Sequence, residues 1–256
     1  MLVIFLLFKG IVMFYFDVVN NKKVIKSDLI KAEHFFTTRD SIIKSKEPEN
    51  EKIVETNKKD ICNYLNIEYE NLLYPSQTHT SNVQLAVLGK KEYPETDGLI
   101  VNDSNIAIFL NFADCTPIIL YDEIKNIGAI CHAGWRGTAG NIVTNTIKIM
   151  QNEFNCKVSD ISAAIGPAIC FNCYDVGEEV LEKLKLTVSD FNGLLEIRNN
   201  KIYVDLKGIN AKQLKDCGVH KIDIAPFCTC CNNDLFFSYR KEHGTTNRHS
   251  AVLKIN

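Results

Sequence analysis

The sequence predicts a single α/β domain in which strands and helices build mixed sheets. Short apolar runs, typical of buried strands, alternate with longer stretches whose apolar residues recur at helical spacing. The chain contains no internal repeat, low-complexity tract or linker rich in Pro, Gly and Ser that would mark a domain boundary. With 256 residues, 46% of them hydrophobic, the chain can bury a substantial core.

The predicted strands are apolar runs bounded by turn-forming residues such as Gly, Asn, Asp and Pro. In chain order, we predict strands at 14–19, 23–27, 34–39, 83–88, 99–101, 106–112, 116–121, 127–131, 161–165, 201–205, 222–224, 236–239 and 251–255.

The predicted helices lie between these runs, at 51–65, from 140 onward, at 176–186 and at 206–217. The second of them carries apolar residues on one face, namely Ile142, Val143, Ile147 and Met150. Gly218 suits the position just after the last helix, where a left-handed backbone is common. The polar segment 44–51 is predicted to be a loop.

The first residues raise a separate question. The apolar run 1–8 lacks the basic segment and the small-residue cleavage site of a secretory signal peptide, and Lys9 and Gly10 interrupt it. We interpret residues 1–13 as an extension or a mis-annotated start, with Met13 as the alternative first residue. The single catalytic domain is then expected to span 14–256.

Charge and cysteine content narrow the classes of function. A net charge of -2 gives no overall attraction to nucleic acid or to an anionic membrane, so neither partner is expected. Ten cysteines in a chain of this length, without a convincing secretory signal, favour free thiols in a reducing cytoplasm over a disulfide framework.

The most informative stretch runs from Ala129 to Gly140, where an apolar strand delivers His132 into a glycine-rich turn that contains Trp135 and Arg136. Two further segments, ending at His79 and Cys115, also lie next to extended runs. Two imidazoles and one thiol form a plausible three-ligand Zn²⁺ site that leaves a fourth position for water or substrate.

Composition alone also allows other interpretations of these residues. Cys115 could pack in the core while the histidines bond nearby backbone groups, since free cysteine is among the most buried residue types. Alternatively, Cys115 could be a nucleophile with His132 as its base, and Asp114 could orient one of them. The carboxylate of Asp114 would raise the thiol pKa, which works against this second alternative.

Two further cysteine groups attract attention, namely Cys170 with Cys173, and the run Cys228, Cys230 and Cys231. The run at 228–231 has no second ligand pair at the sequence distance typical of a zinc finger, and Cys170 with Cys173 follows Gly166 and Pro167 rather than opening a thioredoxin-type helix. We therefore interpret both as structural.

Four arginines are candidates for anion binding because a guanidinium matches phosphate geometry. These are Arg39, Arg136, Arg240 and Arg248. A planar base could stack on Trp135, Phe237 or Tyr239, although each is more often a core residue.

At these residues the chain resembles the bacterial laccase-domain or polyphenol oxidase proteins, also described as purine nucleoside phosphorylases and as peptidoglycan-editing factors. The resemblance is carried by six ordered motifs at 77–79, 113–117, 132–137, 165–167, 173–177 and 236–240. It extends from Phe35 to the C-terminus.

The resemblance implies a four-layer α/β/β/α sandwich and a Zn²⁺ site on His79, Cys115 and His132. It also implies phosphorolysis of adenosine, inosine and S-methyl-5′-thioadenosine, with adenosine deamination as a side activity. The expected partners are therefore a nucleoside and phosphate, and a homo-oligomer is left open. The alternatives are a thiol-dependent amidase that acts on peptidoglycan precursors, a Cu²⁺-dependent polyphenol oxidase, and a non-catalytic partner-binding domain.

Overall fold

A computed structural model describes residues 14–256, so the interpretation of residues 1–13 lies outside the described chain. Within this range the strands are β1 (Phe14–Val19), β2 (Lys22–Ser27), β3 (Glu33–Thr37), β4 (Leu72–Leu73), β5 (Val83–Leu85), β6 (Gly98–Val101), β7 (Ala107–Phe112), β8 (Thr116–Asp122), β9 (Ile127–Ala133), β10 (Ile161–Ile165), β11 (Asp175–Val176), β12 (Leu195–Arg198), β13 (Lys201–Val204), β14 (Lys221–Ile224) and β15 (His249–Lys254). The α-helices are α1 (Glu51–Leu65), α2 (Trp135–Ala139), α3 (Ile142–Phe154), α4 (Glu178–Lys185) and α5 (Leu206–Asp216).

Two six-stranded sheets form the centre of the fold. The first has the strand order β1-β2-β3-β15-β7-β4, and the second has the order β14-β10-β8-β9-β6-β5. Most neighbours are antiparallel, but β4 runs parallel to β7, β5 to β6, and β14 to β10. Both sheets are therefore mixed, as the sequence predicted.

The alternation of side chains along each strand explains how the sheets stack. On β7, Ile108, Leu110 and Phe112 join the cluster shared with the second sheet. The intervening Ala107 and Phe109 face the opposite way and pack with helix α1. Because both faces of this strand are covered, every residue except Asn111 is apolar, and the sequence does not alternate between apolar and polar residues.

The second sheet is covered in the same way on its outer face. Ile118 and Leu120 of β8 pack with α3 and α5, through residues such as Ile147 and Leu214, whereas Ile119 of β8 faces the first sheet. The layers are thus α1, first sheet, second sheet, and α3 with α5. The four-layer α/β/β/α arrangement implied by the resemblance is confirmed.

A smaller antiparallel sheet, in the order β11-β13-β12, flanks the sandwich. It packs with α4 in a separate apolar cluster that also includes Trp135 at the start of α2.

The predicted strand at 236–239 is wrong, because these residues form turns and irregular backbone although Phe236 and Phe237 are buried. Part of the predicted glycine turn after His132 is helix α2.

No helix within residues 14–256 has both the length and the apolar character required to cross a lipid bilayer.

Candidate metal centre

Three distant segments bring His79, Cys115 and His132 together; we call these residues the ligand trio. Their Sγ and ring nitrogen atoms all lie within 4.8 Å of one another. The antiparallel register of β8 and β9 sets Pro117 opposite His132, which explains why Cys115, just before β8, lies beside that imidazole. His79 comes from the loop before β5, and the two imidazole centroids are 4.9 Å apart.

A buried carboxylate, Asp97, organises two members of the trio. Its Oδ1 accepts a hydrogen bond from the His132 Nδ1 at 2.7 Å and from the backbone N–H of His79 at 3.1 Å. Its Oδ2 accepts from the backbone N–H of Thr80 at 2.7 Å and of Thr78 at 3.2 Å. These bonds hold His79 at a φ of 64°, in the left-handed region.

The bond to Asp97 also decides which nitrogen of His132 is free to bind a metal. Because Nδ1 donates to the carboxylate, Nε2 is the nitrogen that can give up its proton to bind a metal, as in the carboxylate–histidine–metal arrangement of zinc proteins. Burial alone would raise the pKa of Asp97, but the bonds from His132 and Thr80 lower it to about 2, so the carboxylate remains charged.

The charges within the trio support one another. Burial opposes ionisation of Cys115, but the positive charge and hydrogen bonds of His132 and His79 outweigh it and lower the thiol pKa. Burial would lower the pKa of His132, but the negative charges of Cys115 and Asp97 raise it. The sulfur is therefore available as a thiolate, which is the form that binds metals.

Gly134 provides the space that the trio occupies. A Cβ atom at this position would lie 2.8 Å from the Cys115 Sγ and 3.3 Å from the His79 Cδ2. Two imidazoles and one thiolate are suitable ligands for Zn²⁺ and also for Cu²⁺. His79 is exposed, so the site opens on one side, and the residues present fit a metal with a free coordination position.

The trio lies at the base of a cavity of about 660 Å³, a volume within the range of small-molecule sites. Its walls include two tyrosines, Tyr174 and Tyr239, and Gln77. Gln77 is fixed by reciprocal hydrogen bonds with the backbone of Asn111, at 2.9 and 2.8 Å. Burial raises the pKa of Tyr174, which keeps its phenol protonated as a hydrogen-bond donor.

Two of the four predicted arginines, Arg240 and Arg248, line this cavity. Arg248 donates from Nη1 to the backbone oxygens of Thr245 at 2.6 Å and Asn247 at 2.8 Å. Arg240 is paired with Asp175 and donates to the Cys173 carbonyl at 3.1 Å. Arg248 therefore keeps more of its guanidinium free for an anion.

The other two predicted arginines, Arg39 and Arg136, lie outside this cavity. Arg39 forms an ion pair with Glu242 at 2.6 Å and stacks on the Phe237 ring. Arg136 is exposed and stacks on Trp135, beside a different surface groove. Neither guanidinium lines the cavity that holds the trio, and nor do these two aromatic rings.

Sequence reasoning missed two cations of this cavity, Lys44 and Lys46, which belong to the segment predicted only as a polar loop. A β-bridge pairs Lys44 with Arg248 and places both charges on one wall. Desolvation within the cavity, followed by the positive charges of Arg248 and Lys46, lowers the pKa of Lys44. Crowded cations of this kind favour a bound anion.

Asp114 lies beside the trio, but its carboxylate is occupied. Oδ1 accepts from the Thr229 hydroxyl and Oδ2 from the Arg240 backbone N–H, both at 2.6 Å. These bonds hold Asp114 at a φ of 86°, an unusual backbone conformation for this residue type. Its contacts are those of a residue that positions the wall of the cavity.

The two cysteine groups noted in the sequence analysis lie far apart in the sequence but are neighbours in space. The four sulfur atoms concerned lie within 4.8 Å of one another and belong to Cys170, Cys173, Cys228 and Cys231. A β-bridge between Ala168 and Cys228 joins the two segments and brings the sulfurs together. The sequence alone does not reveal this pairing, because the two segments are far apart along the chain.

The fold and the ligand trio together define the class of protein. The sequence model of the family described as multi-copper polyphenol oxidoreductase laccase matches residues 42–256, and the chain belongs to this family.

Individual relatives carry names that specify an activity. Purine nucleoside phosphorylase YlmD of Bacillus subtilis is 30% identical over 91% of this chain and 89% of that protein. Adenosine deaminase RL5, from an unknown prokaryotic organism, is 34% identical over 69% of this chain and 72% of its own length. The crystal structure of hypothetical protein YfiH from Bacillus licheniformis superposes with a TM-score of 0.86 at 25% identity, covering 94% of this chain and 99% of that one.

Proposed function

We propose that this protein is a Zn²⁺-dependent purine nucleoside phosphorylase that acts on adenosine, inosine and S-methyl-5′-thioadenosine. The observation that carries the proposal is the meeting of two imidazoles, one thiol and a group of cations in a single cavity of nucleoside size. The activity in the name of the Bacillus subtilis relative agrees with it.

The ligand trio would hold the metal, which when bound supplies Lewis-acid polarisation of a substrate oxygen. Asp97 keeps His132 in the tautomer and orientation needed for binding through Nε2. The donor set is compatible with Cu²⁺, but oxidation by several coppers requires more imidazole ligands than the two present here. We therefore rank phenol oxidation below phosphorolysis.

Lys44 and Arg248 are the proposed phosphate ligands, with Lys46 adding positive charge. Phosphate binding would relieve the repulsion among these cations and would bring the nucleophilic oxygen near the nucleoside. Arg240 is a weaker candidate because Asp175 already neutralises its charge. Arg39 and Arg136 are excluded from the proposed phosphate site by their positions outside the cavity.

Tyr174 and Tyr239 are the proposed purine contacts. Both rings line the cavity, and aromatic faces bind planar bases by stacking. In the proposed reaction the bond between ribose C1′ and the base breaks, a phosphate oxygen bonds to C1′, and the base leaves with a proton. The products are the free purine and ribose 1-phosphate, or its methylthio analogue.

Adenosine deamination is a second proposed activity, favoured by the name of relative RL5. This reaction consumes water, releases ammonia and leaves inosine. It differs from phosphorolysis because it needs no phosphate, so a single assay can separate the two activities.

The test is an inosine assay with and without phosphate, with hypoxanthine and ribose 1-phosphate measured by chromatography and metal content by mass spectrometry. We expect product only with phosphate, and losses of both metal and activity in His79→Ala and His132→Ala. The exposed His220→Ala serves as the matched control and should behave like the wild type.

Two outcomes contradict the proposal. Release of hypoxanthine at the same rate without phosphate would make the reaction a hydrolysis. Activity that survives removal of the metal but disappears on alkylation of Cys115 would instead favour the thiol-dependent amidase, with His132 as its base.

We infer a reducing cytoplasm as the location, because the thiolate ligands remain reduced there.

A further inference from the structure

A second group of potential metal ligands lies outside the ligand trio. It combines two pairs of cysteines, each separated by two residues, and we call it the cysteine cluster. Its members are Cys170, Cys173, Cys228 and Cys231. All four Sγ atoms lie within 4.8 Å of one another, and those of Cys173 and Cys231 are 3.4 Å apart.

Backbone pairing, rather than sulfur contacts, brings the two pairs together. Ala168 and Cys228 form a parallel β-bridge, and the Thr229 N–H donates to the Ala168 carbonyl at 3.1 Å. A short 3-10 turn, Phe171–Cys173, then directs the first pair toward the second. The arrangement is therefore built into the fold.

The surroundings of Cys228 favour a thiolate. Its sulfur accepts hydrogen bonds from the backbone N–H groups of Cys170 at 3.2 Å and Cys231 at 3.4 Å. The buried ammonium of Lys207 donates to the carbonyls of Ala225 at 2.8 Å and Phe227 at 3.3 Å, immediately before Cys228. Hydrogen-bond donors and a cation stabilise negative charge on a ligand sulfur.

Hydrophobic packing does not account for the cysteine cluster. Cys231 is exposed, and Cys170 and Cys173 are only half-buried, whereas structural cysteines are among the most buried residues. Exposed thiols this close together are prone to oxidation unless a metal holds them.

We propose that the cysteine cluster binds a structural Zn²⁺ ion, distinct from the metal of the ligand trio. Four thiolates complete the tetrahedral shell of Zn²⁺, so this site has no open position for substrate. Binding displaces the thiol protons and involves no change of oxidation state.

The position of the cluster gives this ion a role in shaping the cavity. Tyr174, which follows Cys173 directly, lines the cavity, and Arg240 of the cavity wall donates to the Cys173 carbonyl at 3.1 Å. On the second segment, the Thr229 hydroxyl holds Asp114 at 2.6 Å. A metal in the cluster would therefore fasten together two segments that form one wall of the cavity.

The test compares zinc content per chain in the wild-type protein, in Cys231→Ser and in Cys230→Ser. Cys230 lies next to Cys231 but is not part of the cluster, which makes it a matched control. We expect Cys231→Ser to hold one zinc ion fewer than the wild type and Cys230→Ser to hold the same number. Equal zinc content in all three proteins overturns the proposal.

A second measurement covers the case in which Cys231→Ser fails to fold. In His132→Ala, which disrupts the ligand trio but leaves the cluster intact, the remaining zinc should show only sulfur neighbours by X-ray absorption, at about 2.3 Å. Nitrogen or oxygen neighbours, bound iron in place of zinc, or a Cys173–Cys231 disulfide in protein purified without air each overturn the proposal.

Discussion

The carboxylate of Asp97 determines how the ligand trio is held. It bonds one imidazole directly and fixes the loop that carries the other through three backbone N–H groups. Since Asp97 is fully buried, water cannot replace these bonds. The trio therefore depends on a residue that does not itself bind the metal.

We expect Asp97→Asn to weaken metal binding by about 10- to 100-fold. An amide placed here can donate a hydrogen bond to the His132 Nδ1, which moves the proton to Nε2 and blocks the ligand nitrogen. The measurement is zinc affinity by competition with a chelator at fixed pH. Glu92→Gln, which removes an exposed carboxylate, is the control; equal affinities in the two variants would show that Asp97 does not fix the tautomer.

Lys44→Gln tests the proposed phosphate site. Losing one charge-assisted hydrogen bond costs roughly 1.5–3 kcal/mol, so the KM for phosphate should rise roughly tenfold or more. The KM for inosine should change much less, because the cation lies on the wall shared with Arg248. Lys148→Gln, on the exposed surface of α3, should leave both values unchanged. An equal rise in both KM values would argue against a phosphate contact.

Residue types predict ligands better than they predict the residues around ligands. His79, Cys115 and His132 stand out because imidazole and thiol groups at strand ends are few. Asp97 was not singled out from the sequence, and Lys44 was assigned only to a loop, because both act through partners that are distant in sequence, His132 and Arg248. No local pattern reveals such pairs.

At the scale of elements, the start of helix α2 lies against the ligand trio. Gly134 caps this helix with an extended backbone, and Gly177 caps α4 with a similar one. Their surroundings differ, since a Cβ atom on Gly134 would press on Cys115 whereas one on Gly177 would meet nothing within 4 Å. A substitution at Gly177 therefore tests the effect on helix capping alone, whereas the same substitution at Gly134 also affects the metal site.

We expect Gly134→Ala to lose the metal of the ligand trio and most of its activity, while Gly177→Ala retains both. The added methyl group would lie 2.8 Å from the Cys115 Sγ, so the sulfur must move from its place between the imidazoles. Metal content and inosine phosphorolysis measure the effect, and thermal unfolding establishes that both variants are folded. Full metal content in Gly134→Ala would mean that the trio tolerates this displacement.

The elements with clear periodicity were predicted well, and those fixed by tertiary contacts were not. Helix α1 and strands β1 and β10 have the predicted bounds. The run Phe236–Tyr239 has the composition of a strand, yet its backbone bonds locally. The Phe236 N–H donates to the Asn232 carbonyl at 3.0 Å, and the Ser238 N–H donates to the Glu242 carboxylate at 2.9 Å. A buried aromatic run forms a β-strand only when a neighbouring strand is available for pairing, and the local sequence does not determine whether it is.

At the scale of the whole molecule, the fold class followed from composition and pattern, but the strand order did not. Strand β15, at the end of the chain, lies between β3 and β7 in the first sheet. Pairings across such sequence distances also create the cysteine cluster, which joins segments beginning near Cys170 and Cys228. The resemblance to a known family supplied the layer order that residue patterns left open.

Acid sensitivity of the fold is the last prediction, and it rests on His34. Its ring is buried, accepting from the Ser27 N–H through Nε2 at 3.0 Å and contacting the Ala32 carbonyl through Nδ1 at 2.9 Å. Burial lowers the pKa of His34 to about 4, so the folded protein binds this proton later than the unfolded chain, in which histidine has a pKa near 6.5.

The sign of the effect follows from this difference. Between about pH 6.5 and 4 the unfolded chain binds more protons than the folded protein. As the pH is lowered through this range, the free energy of unfolding should therefore decrease by up to about 3 kcal/mol from His34 alone. Urea denaturation from pH 7 to 4 should give a shallower fall in His34→Gln than in the wild type, even if this variant is less stable at pH 7. Because metal release at low pH affects both proteins, their difference isolates the histidine. The exposed His220→Gln should follow the wild type, and a His34→Gln profile parallel to both would assign the acid sensitivity to other groups.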